Sequence, residues 1–176
     1  MSDEKARVLK IRPVGTVMGG LEKPILALRD GELHMSESRG SGRDASRDVS
    51  EIHIRDEYAE CLEGIEEFSH VIVLYWSHMV GERGRGITRV HPAGQKDIAM
   101  VGVFSTRSPA RPNPICVTTV ELLRRKGNVL EVRGLDAVEG SPVIDLKPYL
   151  PHYDALEEVE LSEWMNELMR RFRGGD

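Results

Sequence analysis

The chain has 176 residues and a net charge of −5, and 40% of its residues are hydrophobic. This length suits one domain that buries about two thirds of the surface of its unfolded chain, so no disulfide or metal is needed for folding. The acidic balance argues against a protein whose whole surface binds nucleic acid. The longest apolar run, Val71 to Trp76, is far shorter than the ~20 residues of a membrane span, so we expect a soluble protein.

Seven apolar runs rich in valine and isoleucine predict β-strands along the chain. Glycine, proline and asparagine turns separate them with little helical periodicity, which indicates an antiparallel-rich barrel or sandwich rather than alternating strands and helices. The predicted strands are 8–11, 52–54, 71–76, 101–104, 115–123, 129–132 and 143–146.

Two connections and two helices complete the predicted elements. Ser36 to Ser50 is almost purely serine, glycine and charge and predicts a mobile loop, whereas Gly127-Asn128 predicts a hairpin turn. A short helix is expected over Arg55 to Leu62, ended by Gly64. An amphipathic helix is expected over Glu157 to Arg173, with Ser162 and acidic residues early and arginines late.

The cysteines and histidines indicate which cellular compartment to expect and whether a structural metal is expected. Cys61 and Cys116 lie far apart, and the charged Ser2-Asp3-Glu4-Lys5 is unlike a secretory signal, so we expect a reducing cytoplasm. The histidines do not pair with cysteines at ligand spacing, which predicts no structural zinc. They are His34, His53, His70, His78, His91 and His152.

The most informative segment is Gly102 to Leu123, which places Arg-Ser-Pro and Arg-Pro-Asn-Pro turns between two apolar runs. Each proline fixes its own φ and biases the preceding residue toward extended geometry, so Arg107 and Arg111 belong to a stiff loop. Rigid guanidinium groups suit carboxylates and phosphates, and the alternative is a stiff surface loop with solvated arginines.

This segment, together with Gly64 to His70, Gly134 to Asp136 and Gly140 to Pro151, resembles the TsaA/TrmO (YaeB-like) family. The resemblance spans Val8 to Pro151. It implies a closed, antiparallel-rich, mainly β barrel that forms homodimers and binds S-adenosylmethionine (SAM). It also implies methylation of N6 of threonylcarbamoyladenosine at tRNA position 37, so the expected partner is the tRNA anticodon loop.

The resemblance also implies the residues that surround the cofactor. Their types suit SAM, because an arginine can bind its carboxylate, acidic side chains can accept from hydroxyl or ammonium groups, and aliphatic groups can wall the adenine. The valines also fit a purely structural core role, and His78 fits a structural hydrogen bond. The implied cofactor residues are His78, Met79, Arg107, Val117, Asp136, Ala137, Val138 and Glu139.

The candidate catalytic residues are Asp145, Lys147 and Tyr149, on one predicted strand face. Methyl transfer is an in-line displacement that depends mainly on positioning, yet the attacking nitrogen must lose a proton. Asp145 can accept that proton, Lys147 can bind a phosphate or carboxylate, and Tyr149 can stack on a base. The alternative is a structural Asp145–Lys147 salt bridge.

Three departures from the family pattern concern substrate recognition. Glu22-Lys23-Pro24 stands where tRNA-methylating members carry Pro-Arg-Gln, and Cys116 stands where glycine is usual. The C-terminal domain of longer bacterial members is expected to be replaced by one helix. Alternative functions are therefore methylation of another RNA or a small metabolite, or non-catalytic SAM binding.

The predicted organisation is a SAM-binding barrel domain over residues 1–152, followed by a C-terminal helix over 153–176 that packs on the barrel or on a dimer partner. Neither repeats nor a Gly-x-Gly-x-x-Gly motif are present, which disfavours a Rossmann methyltransferase. Arginines cluster at 83–89, 107–111, 124–125 and 170–173, where each cluster fits either an RNA contact or a solvated face.

Overall fold

The computed structural model describes residues 8–29, 32–35 and 48–173, and ten strands account for most of the regular structure. The strands are β1 (Gly15–Met18), β2 (Leu26–Arg29), β3 (Glu32–Met35), β4 (Val49–Ile54), β5 (His70–Trp76), β6 (Arg89–Val90), β7 (Val101–Gly102), β8 (Ile115–Lys126), β9 (Val129–Arg133) and β10 (Pro142–Pro148). The α-helices are α1 (Glu82–Arg85), α2 (Pro151–Asp154) and α3 (Glu163–Arg173). Short 3₁₀ helices cover Asp56–Leu62, Ile65–Glu67, Pro92–Gly94 and Val103–Ser105.

Six of these strands close into an antiparallel barrel in the order β1-β10-β5-β8-β9-β4, and β4 pairs back with β1. The predicted mainly β barrel is therefore confirmed. Alternate residues of β5 point inward, so Val71 and Val73 are fully buried while Ile72 and Leu74 lie on the outer face. Leu130 on β9 is also fully buried, and these aliphatic side chains form the core.

Residues 77–114 form a long excursion between β5 and β8, which we call the 77–114 segment. It contains α1, the paired strands β6 and β7, and two 3₁₀ helices. A small second core of Val90, Val103 and Ala110 supports it. The excursion leaves the barrel at the end of β5 and returns at the start of β8, so it stands over one end of the barrel.

Most predicted strands are confirmed, but two are not as expected. Residues 8–11 form no strand, and Val8 and Leu9 are 85% and 77% exposed, because these side chains face no neighbouring strand. In the predicted strand 101–104, only Val101–Gly102 pairs, and the chain then turns into the 3₁₀ helix Val103–Ser105. The β8–β9 hairpin is confirmed, with Lys126 opposite Val129 and φ +61° at Gly127.

The strands β1, β2, β3 and β6 were not predicted. β1 and β6 are only four and two residues long. In the predicted loop Ser36 to Ser50, Val49 and Ser50 belong to β4, with Ser50 buried, and residues 36–47 lie outside the described residues.

The helices begin differently from the prediction. Asp56–Leu62 is a 3₁₀ helix, and Gly64, at φ +80°, separates it from the next one. The C-terminal helix begins at Glu163 instead of Glu157, because Glu158 adopts a left-handed φ of +58° that does not fit a helix. The Ser162 carbonyl accepts from the amides of Met165 and Asn166, which starts the helix. α2 was not predicted.

Candidate functional site

A cavity of 620 Å³ opens where β5 ends and where β8 and β10 begin. This volume lies within the usual range of small-molecule sites. It is lined from four places: the chain after β1, the end of β5, the 77–114 segment with the start of β8, and the loop before β10. The lining residues are Pro24, Ile25, Tyr75, Ser77, His78, Met79, Arg107, Pro109, Arg111, Ile115, Cys116, Val117, Thr118, Thr119, Asp136, Val138 and Ser141.

Six of the eight predicted cofactor residues line this cavity. They are His78, Met79, Arg107, Val117, Asp136 and Val138. Residues from three separate stretches of sequence therefore meet in one place.

The other two predicted cofactor residues, Ala137 and Glu139, hold a neighbouring loop. The Ala137 carbonyl accepts from the Leu21 amide at 2.9 Å, and a Glu139 carboxylate oxygen accepts from the Gly20 amide at 2.8 Å. A Cβ at residue 20 would lie 2.8 Å from the Ala137 carbonyl oxygen, so only glycine allows this approach. These contacts bring Pro24 and Ile25 to the cavity, although the family's Pro-Arg-Gln is absent.

The two arginines of the proline-rich loop have different roles. Arg107 is exposed and donates to the Val117 carbonyl at 2.7 Å, which leaves other guanidinium N–H groups for a ligand. Arg111 instead turns into its own loop, where its guanidinium donates to the carbonyls of Ser108, Thr106 and Val103. Arg111 therefore stabilises the loop that presents Arg107.

A hydrogen-bonded group of Tyr75, Thr118 and Asp136 lies on the cavity wall. The Tyr75 hydroxyl donates to Asp136 Oδ1 at 2.9 Å, and the Thr118 hydroxyl donates to the same oxygen. Burial, and then the negative charge of Asp136, raise the pKa of Tyr75 well above its ordinary value. Tyr75 therefore keeps its proton, and the carboxylate is oriented by two neutral donors.

Cys116 and His78 complete the polar wall. The half-buried Cys116 pairs with Tyr75 across β5 and β8, and burial followed by the charge of Asp136 raises the pKa of its thiol, so it remains protonated. His78 Nδ1 lies 3.3 Å from the hydroxyl of Ser141, which is 1% exposed. His78 therefore lines the cavity and also forms a structural hydrogen bond.

The predicted catalytic residues lie elsewhere. Asp145 and Lys147 lie opposite Leu74 and Ile72 of β5, on the outer face of the barrel. They form an ion pair with each other, in which Asp145 Oδ2 lies 2.7 Å from Lys147 Nζ. The Asp145 hydrogen bond raises the pKa of Lys147.

Tyr149 is farther along the same strand direction. Its amide donates to the carbonyl of His70. His70 precedes Tyr75 by five residues on β5, so these two residues are about 16 Å apart along the strand. None of the three predicted catalytic residues lines the cavity.

Sequence reasoning missed several cavity residues. Tyr75, Thr118 and Thr119 lie inside apolar strand runs and were interpreted only as strand residues. The hydroxyl groups at 118 and 119, which interrupt an otherwise aliphatic run, were the available signal. Ser141 belongs to the Gly140 to Pro151 block of the resemblance but was not singled out as a cavity residue.

Within the described residues, no helix has the length and apolar character needed to cross a membrane. The same part of the chain contains no group of three or more histidine, cysteine or acidic side chains arranged to hold a metal ion.

Comparison with protein families gives a match to the tRNA-methyltransferase O N-terminal domain over residues 38–155. A probable S-adenosyl-L-methionine-binding protein of Methanothermobacter thermautotrophicus is 46% identical over 156 residues, which are 89% of this chain and 98% of that protein. The tRNA (adenine(37)-N6)-methyltransferase of Escherichia coli is 39% identical over 118 residues, which are 64% of this chain and 50% of the enzyme.

Among solved structures, TrmO from Pseudomonas aeruginosa superposes with a TM-score of 0.63 and 26% identity. The match covers 89% of this chain and 62% of the Pseudomonas chain. The present chain therefore spans less than two thirds of that structure.

Proposed function

Because this chain belongs to the family of the tRNA-methyltransferase O N-terminal domain, we propose that it is a SAM-dependent tRNA methyltransferase. The cofactor binds in the cavity, and the methyl acceptor is N6 of threonylcarbamoyladenosine at tRNA position 37. The observation that carries the proposal is the convergence of Arg107, Asp136 and an apolar wall in one cavity.

The residues of the cavity fit the parts of SAM. The free N–H groups of Arg107 suit its carboxylate, and Asp136, oriented by Tyr75 and Thr118, suits an ammonium or hydroxyl group. Met79, Val117 and Val138 provide an apolar wall for the adenine. When bound, SAM supplies a methyl group on a positively charged sulfur.

The chain contributes mainly positioning to this reaction. Arg111 fixes the loop of Arg107, and the bonds from Ala137 and Glu139 fix the loop of Pro24 and Ile25, so two walls of the cavity are held before ligand binds. Tyr75 does not act as a base, because it keeps its proton. A catalytic role for Asp145, Lys147 and Tyr149 stays a prediction from the family resemblance of their block, because these residues do not line the cavity.

Three further proposals concern organisation. The C-terminal helix packs on the rest of the domain, supported by Leu168, which is 6% exposed, and by the 2.6 Å ion pair between Arg171 and Asp97. The protein forms a homodimer, supported by the resemblance and by the exposed apolar Val8 and Leu9. It acts in the cytoplasm, which is where the proposed tRNA substrate would be met.

Calorimetric titration of SAM into the wild type and Arg107→Ala tests the site. We expect binding by the wild type and a loss of at least tenfold in affinity in the variant, since charged hydrogen bonds contribute roughly 1.5–3 kcal/mol each. Arg124→Ala is the control, because Arg124 pairs with Glu131 on the β8–β9 hairpin away from the cavity.

Methylation of tRNA carrying threonylcarbamoyladenosine then tests the reaction. Product formation by the wild type supports the proposal. Tight SAM binding without methylation of this tRNA favours the non-catalytic module or another acceptor, and absence of SAM binding overturns the whole assignment.

A further inference from the structure

The charge of the chain is divided unevenly between the 77–114 segment and the remainder. The chain has 24 basic and 29 acidic residues, and the segment holds six of the basic and two of the acidic ones, which gives it a net charge of +4. The remaining 18 basic and 27 acidic residues give the rest of the chain a net charge of −9. The segment that borders the cavity is therefore basic within an acidic protein.

The positive charge of this segment is largely not neutralised by its own acids. Glu82 pairs with Arg85, and Asp97 pairs with Arg171 of α3. Arg89 donates to the Met100 carbonyl, and Arg107 and Arg111 also bond to neutral backbone oxygens. Arg83 is exposed and forms no ion pair within the described ranges.

The same segment carries an exposed aromatic side chain. Phe104 is 79% exposed, and Met79 and Met100 of the same segment are 56% and 41% exposed. Phe104 is three residues from Arg107, which lines the cavity, so the Cα atoms of these two residues are at most about 11 Å apart.

Phe104 is held on a rigid support. The 3₁₀ helix Val103–Ser105 is anchored by the buried Val103 side chain and by a 2.9 Å bond from the Val103 amide to the Thr88 carbonyl. Arg111 donates to the carbonyls of Val103 and Thr106, at the two ends of this turn. An exposed ring on a fixed backbone loses little conformational entropy when a ligand stacks on it.

From this combination we infer that the 77–114 segment docks the single-stranded loop of an RNA, and that Phe104 stacks on a base next to the one that enters the cavity. Arginines that bond only to carbonyls supply charge for phosphates, and an aromatic face supplies sequence-tolerant stacking. The inference rests on the proposed function, because it assigns the surface through which the RNA substrate binds.

The test measures binding of an unmodified RNA hairpin, with the sequence of a tRNA anticodon stem and loop, to the full chain by fluorescence anisotropy. Phe104→Ala is expected to weaken binding roughly fivefold to 150-fold, the effect of losing one base–aromatic stack, and Phe104→Trp is expected to retain it. Tyr153→Ala is the matched control, because Tyr153 is 74% exposed and outside the segment.

The salt dependence of RNA affinity tests the electrostatic contribution of the segment to binding. Arg83→Gln is expected to reduce the slope of log affinity against log salt by about one, whereas Lys126→Gln, at the distant β8–β9 hairpin, leaves it unchanged. SAM affinity, measured on the same proteins, stays at the wild-type value in all of these variants.

Two results would overturn the inference. One is equal RNA affinity for Phe104→Ala and Tyr153→Ala. The other is a change of oligomeric state in Phe104→Ala, seen by light scattering, with unchanged RNA affinity, which would place Phe104 between copies of the chain. Failure of the wild type to bind SAM or to methylate tRNA is a separate outcome and contradicts the proposed function instead.

Discussion

The barrel and the 77–114 segment are built by different kinds of interaction. The barrel is held by continuous strand pairing around a core of fully buried aliphatic side chains. The segment has two pairs of residues in strand pairing, a small core and a set of hydrogen bonds between side chains and backbone, three of them donated by Arg111. The barrel can therefore tolerate changes on its outer face, whereas the segment depends on a few specific polar contacts.

The largest expected effect is on stability, from a change inside the barrel. Leu130→Ala removes a side chain with 0% exposure and is expected to lower the free energy of unfolding by about 2–5 kcal/mol. Leu156→Ala, at a site 77% exposed, is expected to change it by less than about 0.5 kcal/mol. Urea denaturation of both variants measures the difference, and equal losses would contradict the assignment of the core.

The variant Asp145→Asn tests whether this residue on the outer face of the barrel has a catalytic role. If Asp145 has the predicted catalytic role, methyl transfer falls about a hundredfold or more, while SAM affinity is unchanged because the residue does not line the cavity. Single-turnover methylation and calorimetry give the two values. Full turnover in the variant would leave the Asp145–Lys147 pair as a surface ion pair, which is generally worth less than about 1 kcal/mol.

These regions also differ in how far the sequence predicted them. Barrel strands such as 71–76 and 129–132 were found because short runs rich in valine and isoleucine, bounded by turn residues, are a local signal. The roles of Arg107 and Arg111 were not distinguished, because both belong to the same proline-rich loop. Only the folded loop determines that Arg111 reaches backward to Val103 and Thr106.

The candidate site shows the same limit. Six cavity residues were predicted through the resemblance, yet the outward position of Asp145 was not foreseen. The register of β10 against β5 shifts between Val143 and Asp145, so the faces of the strand before and after this irregularity cannot be read from simple alternation.

A smaller effect is expected in the 77–114 segment from Arg111→Lys. Lysine keeps the charge but cannot donate to three loop carbonyls from one planar group, so the loop loosens and SAM affinity falls about tenfold. Arg124→Lys is the control on the barrel. Calorimetry measures affinity, and hydrogen exchange of the 103–111 amides measures loosening; unchanged values in both would show that the charge alone is sufficient.

The smallest effect concerns Tyr75, where the barrel meets the cavity. Because its folded-state pKa is raised, the unfolded chain loses this proton first as the pH rises above about 10, and the contribution of Tyr75 to stability decreases there. Thermal unfolding between about pH 8 and 11 is expected to show a shallower alkaline loss in Tyr75→Phe, by up to about 1.4 kcal/mol per pH unit.

Burial also raises the pKa of Cys116, but this residue is present in both proteins, so the difference between their profiles isolates Tyr75. The exposed Tyr153 gives a control, since Tyr153→Phe is expected to follow the wild-type profile. Parallel profiles for wild type and Tyr75→Phe would mean that the hydroxyl ionises as freely in the folded protein as in the unfolded one. In that case it would not hold Asp136 as a neutral donor, and the oriented carboxylate on the cavity wall would need another support.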